Sequence, residues 1–161
     1  MAATVEALSE LMGQVGALMD LTSVVEADDG AAWILTVDET LAVLAEYNVG
    51  GRKLILSAET AVVPEERRVE GYEMLLLFNA QWRETGGVRL VLEAPGEPIV
   101  QVADVTADGL DLVGLQTVLG NFIAKALAWQ EIIANGTGID AGAEGDWDHE
   151  DPHTDPGTVR V

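Results

Sequence analysis

The segment VEGYEMLLLFNAQWRETGGVRLVL, residues Val69–Leu92, predicts a helix, a glycine stop and a strand in succession. Side chains at helical spacing in its first part predict one buried flank, formed by Tyr72, Leu75, Leu76, Phe78, Asn79 and Trp82. The pair Gly86-Gly87 can adopt the left-handed conformation that ends a helix. Beyond it, Val88, Leu90 and Leu92 alternate with other residues, as in a half-buried strand. We expect the helix and the strand to form one unit that packs against a larger core.

The sequence before this unit predicts a helix and three strands. One stripe of the first helix is formed by Val5, Leu8, Met12, Val15 and Met19. Two glycines inside that helix, Gly13 and Gly16, either admit another chain segment or only weaken the helix. Three apolar runs then predict an antiparallel meander: AAWILTVD (31–38), LAVLAEYN (41–48) and KLILSAE (53–59).

The sequence after the unit predicts a hairpin strand, IVQVADV (99–105), and a long last helix. Asp108 or Asp111 caps this helix, and its apolar face comprises Leu112, Leu115, Leu119, Phe122, Ala126, Trp129 and Ile133. The order is helix, three strands, helix, two strands, helix. This order predicts an α+β fold with a twisted antiparallel sheet and helices on one face.

The chain divides into a folded domain, residues 1–134, and a tail, residues 135–161. The tail holds seven acids and one arginine among glycine, proline and threonine, so it is expected to be flexible. The whole chain of 161 residues is 48% hydrophobic, and its positive mean hydropathy favours association. It contains no cysteine, which excludes disulfides and thiolate metal sites.

The net charge is −20, from 28 acidic and 8 basic residues. Such a charge disfavours nucleic acid and anionic membrane surfaces as partners and favours a basic partner, although it is equally compatible with a role in solubility alone. The first 21 residues contain neither a basic start nor a continuous apolar run. We therefore predict no signal peptide, no membrane insertion and a cytoplasmic location.

The sequence offers little for catalysis. Both histidines, His149 and His153, lie in the tail, where glycine and proline disfavour the helix that would hold them on one metal ion. A run of acids there, Asp146, Asp148 and Glu150, resembles the start of a calcium loop but lacks its glycine and its final glutamate. The predicted domain contains no phosphate loop and no nucleophile paired with histidine. We predict no enzyme activity, no metal and no cofactor, and a small hydrolase or metal enzyme remains the least favoured alternative.

The predicted order of elements, together with FNAQWRETGGVRLVLE (78–93), IVQVADV and FIAKALAWQEII (122–133), resembles the class I type III secretion chaperones, the Tir-chaperone-like family. The resemblance covers roughly Val5 to Ala134. It implies a small acidic homodimer of the bacterial cytoplasm. Such a protein holds the N-terminal segment of a secreted effector in a non-globular state and aids its delivery to the secretion apparatus. A non-secretory adaptor that binds proteins with the same fold is the alternative.

The resemblance also implies two sets of site residues. The dimer interface would comprise Leu75, Leu76, Asn79, Trp82, Val88, Leu90 and Leu92. The effector-binding patches would comprise Leu11, Met12, Leu18, Met19, Trp33, Leu35, Val43 and Leu44. For each residue of the second set, packing in the core is the competing interpretation.

Overall fold

The computed structural model describes residues 2–27 and 30–136, which form one antiparallel sheet with helices on one face. The elements are α1 (Val5–Leu18), β1 (Ser23–Glu26), β2 (Ala32–Thr36), β3 (Ala42–Asn48), β4 (Lys53–Glu59), a 3₁₀ turn (Glu65–Arg67), α2 (Arg68–Ala80), β5 (Arg89–Leu92), β6 (Ile99–Thr106) and α3 (Leu112–Asn135). The α+β prediction and the three helices are confirmed. Only the first two residues of the predicted tail, 135 and 136, are described by the structure. The rest of the tail, with its two histidines, lies outside the described residues.

The sheet of the described region has six strands in the order β1-β2-β3-β4-β6-β5. The predicted meander and hairpin are both present, but the predicted count of five strands is wrong because β1 was missed. Strand β1 has four residues, and only Val24 and Val25 among them are apolar. Such a short segment carries too little alternation to reveal a strand, and its pairing with β2 supplies the missing stabilisation.

The side chains of one sheet face and the three helices form the core. The larger cluster joins α1 and α3 to the inner face of β2, β3, β4 and β6, through residues such as Trp33, Leu35 and Leu56. A second cluster joins α2, β5 and the end of α3, and includes Leu75, Leu90, Ile99, Trp129 and Ile133. Alternate residues of each strand therefore point into the core, and the others lie on a face that carries no helix.

The last helix begins and ends close to the predicted positions. Its N-cap is Asp111, whose carboxylate accepts a hydrogen bond from the Gly114 N–H at 2.7 Å. The other candidate, Asp108, instead accepts from the Ala3 N–H at 2.9 Å. The helix ends at Asn135, and its C-cap is Gly136, whose φ of 67° is the left-handed conformation that glycine favours.

Helix α3 is also long and apolar enough to cross a membrane by length and composition. Seven of its side chains, however, are buried against the sheet and α2 (Leu115, Leu119, Phe122, Ile123, Ala126, Trp129 and Ile133). Apolar composition of this kind is also typical of a core helix.

The two glycines of α1 have different surroundings. A Cβ atom added at Gly16 would lie 2.6 Å from Val24 Cγ2, whereas one added at Gly13 would have no neighbour within 4 Å. Gly16 therefore admits strand β1, and Gly13 only lowers the helix propensity.

This difference predicts opposite effects on stability. Gly13→Ala should raise the free energy of unfolding by about 0.5–1 kcal/mol, because alanine favours the helix without a clash. Gly16→Ala should lower it, because the stiff Val24 side chain must move. Urea unfolding of both variants measures the difference, and equal stabilisation by both would contradict close packing at Gly16.

Candidate partner-binding surfaces

The α2–β5 unit differs from its prediction at the end of the helix. Helix α2 ends at Ala80, so Trp82 lies in the following turn and not on the helical flank. There its exposed ring lies 4.6 Å from the Arg83 guanidinium. The predicted glycine stop is present as two left-handed residues, Gly86 and Gly87, which lead into β5.

Part of the predicted dimer interface is buried within the chain itself. Leu75, Val88 and Leu90 lie in the core, and Phe78 meets Trp129 edge to face with ring centroids 4.9 Å apart. Of the other predicted interface residues, Leu76 and Trp82 are exposed, and Asn79 and Leu92 are half-buried.

The side chain of Asn79 forms two hydrogen bonds to strand β5, which its position in the sequence does not reveal. Its amide nitrogen donates to the Leu90 carbonyl at 2.8 Å, and its side-chain oxygen accepts from the Leu90 N–H at 2.9 Å. Strand β5 lies at the edge of the sheet. One side chain of α2 thus pairs both main-chain groups of Leu90, as a neighbouring strand would.

Helix α2 presents a second apolar stripe to solvent. Val69, Leu76 and Leu77 are 69%, 69% and 68% exposed, and we call them the α2 stripe. Leu76 also borders a shallow hollow of about 270 Å³ between α2 and β5, lined by Tyr72, Leu75, Leu76, Asn79, Leu90 and Leu92. Large aliphatic side chains exposed at this spacing are typical of a helix that lacks its packing partner.

The helix-free face of the sheet holds the second uncovered surface. A row of register partners crosses all six strands there (Val25, Ile34, Leu44, Ser57, Val102 and Arg89). Part of this row lines an open hollow of about 620 Å³, which we call the outer groove. Its lining comprises Ile34, Thr36, Asp38, Glu39, Thr40, Leu41, Ala42, Leu44, Ser57, Ala58, Glu59, Glu93 and Val100.

The charges around the outer groove are held in place. The Thr40 N–H donates to Asp38 at 2.7 Å and, with the Thr40 hydroxyl and the Leu41 N–H, holds the pKa of Asp38 below its usual range. Elsewhere on the same face, the hydrogen bond from Lys53 and the nearby Arg89 guanidinium lower the pKa of Asp104. Both carboxylates therefore stay ionised at neutral pH.

The predicted effector-binding residues do not form one surface. Met12, Trp33, Leu35 and Val43 are buried in the core, which favours the competing interpretation for them. Leu11 and Met19 pack partly against that core, Leu18 is exposed on α1, and Leu44 lies in the outer groove.

Most residues of the outer groove are not among the predicted effector-binding residues. They alternate with core residues on β2, β4 and β6. Ile34, Ser57 and Val100 each stand next to a buried side chain, so strand alternation was the signal that could have identified them.

Within residues 2–27 and 30–136, no group of three acidic or histidine side chains is arranged to hold a metal ion.

The Asn79 contact can be tested by its removal. Asn79→Ala should lower the free energy of unfolding by about 1–3 kcal/mol, because Leu90 loses both partners. Asn121→Ala, at an exposed position of α3, is the control and should change it by less than about 0.5 kcal/mol. Urea unfolding gives both values, and equal effects would contradict the proposed role.

Comparison with known proteins agrees with this architecture. The sequence profile of the Tir chaperone protein (CesT) family matches residues 10–130. A protein of Chlamydia pneumoniae is 27% identical over 93 residues, which are 58% of this chain and 72% of that protein. The crystal structure of the ExsC-ExsE complex contains a chain with a TM-score of 0.67 and 20% identity, and the match covers 80% of this chain and 95% of that one. In the HopA1-SchA chaperone-effector complex the TM-score is 0.62 at 14% identity, over 77% and 93% of the two chains. The chain belongs to the Tir chaperone protein (CesT) family.

Proposed function

We propose that this protein is a cytoplasmic type III secretion chaperone. It binds the N-terminal segment of an effector, keeps that segment non-globular and aids its delivery to the secretion apparatus. Family membership supports this function, as does the resemblance to a chain from a solved chaperone-effector complex. The protein acts by passive binding and consumes no nucleotide.

The outer groove is the observation that carries this proposal. A folded protein that acts alone normally covers its large apolar surfaces, because each buried square ångström contributes about 25 cal/mol. Here the helices cover only one sheet face, and Ile34, Leu44 and Val100 remain on the other. A groove of about 620 Å³ that is open to solvent suits apolar side chains from a segment that has no core of its own.

The two sheet edges differ in their readiness to accept an extended segment. At β5 the main chain of Leu90 is already paired by Asn79. Strand β1 is the other edge and pairs with β2 on one side only among the described strands. Main-chain hydrogen bonds from an effector segment therefore form at β1, through the groups of Val24 and Glu26 that alternate away from β2.

We further propose a homodimer formed through the α2 stripe. Burial of Val69, Leu76 and Leu77 against a second copy removes the most exposed aliphatic surface of α2 from water. The neighbouring hollow between α2 and β5 offers space for side chains of the partner. The buried residues of the predicted interface, such as Leu75 and Leu90, then support the contact surface from below.

The dimer makes a direct prediction. Light scattering should give twice the 17.1 kDa chain mass for the natural protein and the monomer mass for Leu76→Asp/Leu77→Asp. Val113→Asp is the matched control, because Val113 is 70% exposed on α3 and lies outside the α2 stripe. This control should remain dimeric. A monomeric natural protein, or dissociation by the control alone, would refute the interface.

The function is tested by capture of its cargo from the source bacterium. A tagged chain should retain one or two secreted proteins, identified by mass spectrometry, and limited proteolysis should leave their N-terminal segments protected. Ile34→Asp/Leu44→Asp in the outer groove should abolish capture and leave the dimer mass unchanged. Retention of a folded internal domain would instead support an adaptor, and retention of no protein would overturn the chaperone proposal.

A further inference from the structure

The acids of the outer groove lie along one side of it. Asp38 and Glu39 belong to the connection between β2 and β3, Glu59 ends β4, and Glu93 follows β5. Because β2, β4 and β5 are the second, fourth and sixth strands across the sheet, these carboxylates border the row of register partners on one long side. We call these four residues the acid wall.

No lysine or arginine lines the outer groove in the part of the chain that the structure describes. Two cations on the same sheet face, Lys53 and Arg89, both pair with Asp104. The register places Asp104 opposite Ile55, on the other side of the row of register partners from Glu59. Among the described residues, none of the four carboxylates of the acid wall forms an ion pair.

One end of the acid wall is rigidly held. Three donors from Thr40 and Leu41 fix the Asp38 carboxylate, and the Gln130 side chain of α3 donates to the Thr40 carbonyl at 3.0 Å. This connection is thereby tied to the core. A charge that is already positioned loses little entropy when a cation approaches, so less of the binding energy is lost to ordering.

The floor of the outer groove restricts the backbone of whatever binds there. A sheet face offers side chains only, because the main-chain groups of its inner strands are already paired. A segment buried on this face must satisfy its own N–H and C=O groups, as an amphipathic helix does. The adjacent strands β2, β3, β4 and β6 together are about 14 Å wide, which equals the length of about ten residues of α-helix.

We propose that the acid wall selects a cargo segment that carries lysine or arginine along one flank of its apolar side. This inference rests on the proposed function and specifies the chemistry of the partner. The apolar side of the segment covers Ile34, Leu44 and Val100, and its cationic flank faces Glu59 and Glu93.

Three synthetic amphipathic peptides of equal length test the proposal. The first has lysines along one flank of a leucine stripe, the second has glutamates there, and the third has the same lysines on the side opposite the leucines. Fluorescence anisotropy at low salt should rank the first about tenfold tighter than the third, and the second should not bind. Equal affinity for the first and third peptides would overturn the proposal, because bulk charge alone would then explain binding.

Variants of the chain test whether the acid wall causes the preference for the first peptide. Glu59→Gln/Glu93→Gln should remove the preference for the first peptide over the third, and Glu10→Gln/Glu131→Gln, which removes the same charge from exposed helical positions, should preserve it. Because the chain contains no cysteine, Ser57→Cys gives a unique site for a benzophenone label in the groove. That label should cross-link the first peptide, and a label at Thr117→Cys on α3 should not. Equal loss in both glutamine variants, or no cross-link from Ser57→Cys, would overturn the assignment.

The result is independent of the capture experiment. If the natural protein retains a secreted effector but binds the first and third peptides equally, the chaperone function stands and the acid wall has no selective role. If it retains no effector, the proposed function fails whatever the peptides do.

Discussion

The packing of α3 across the inner face of the sheet is the interaction on which the rest of the fold depends. Leu115, Leu119 and Phe122 enter the larger cluster, and Trp129 and Ile133 enter the second one. Each large side chain buried in this way contributes about 1.5–3 kcal/mol. The fully buried Gln101 of β6 donates to the Phe122 carbonyl at 2.9 Å, which ties the helix to the strand at one position. One helix therefore joins both parts of the core.

This arrangement places all the described helices on the same side of the sheet. The inner face is covered, whereas the outer groove and the α2 stripe keep aliphatic side chains in contact with water. In a chain of net charge −20, mutual repulsion opposes uncontrolled association through these surfaces. Four of these acids, the acid wall, line the outer groove, so the same negative charge favours solubility and underlies the proposed selectivity for a cationic partner.

Sequence patterns predicted those elements whose signals are local. The stripe of α1 was correct at Leu8, Met12 and Val15, and one of the two proposed caps of α3, Asp111, was confirmed. The patterns failed where stability comes from distant residues. Strand β1, for example, is paired along its length by β2. The position of Trp82 was also wrong, because α2 ends at Ala80.

The sequence by itself determined the α+β class, the three helices, five of the strands and the acidity, because periodicity, caps and composition act over a few residues. Only the tertiary structure decided which apolar residues face water. Trp33 and Ile34 are large apolar neighbours in the sequence, but the first is buried under the helices and the second lies in the outer groove. The pairing of Asn79 with Leu90 likewise joins residues of a helix and a strand that only the fold brings together. The helices cover one sheet face, and the choice of that face depends on long-range packing that no local pattern contains.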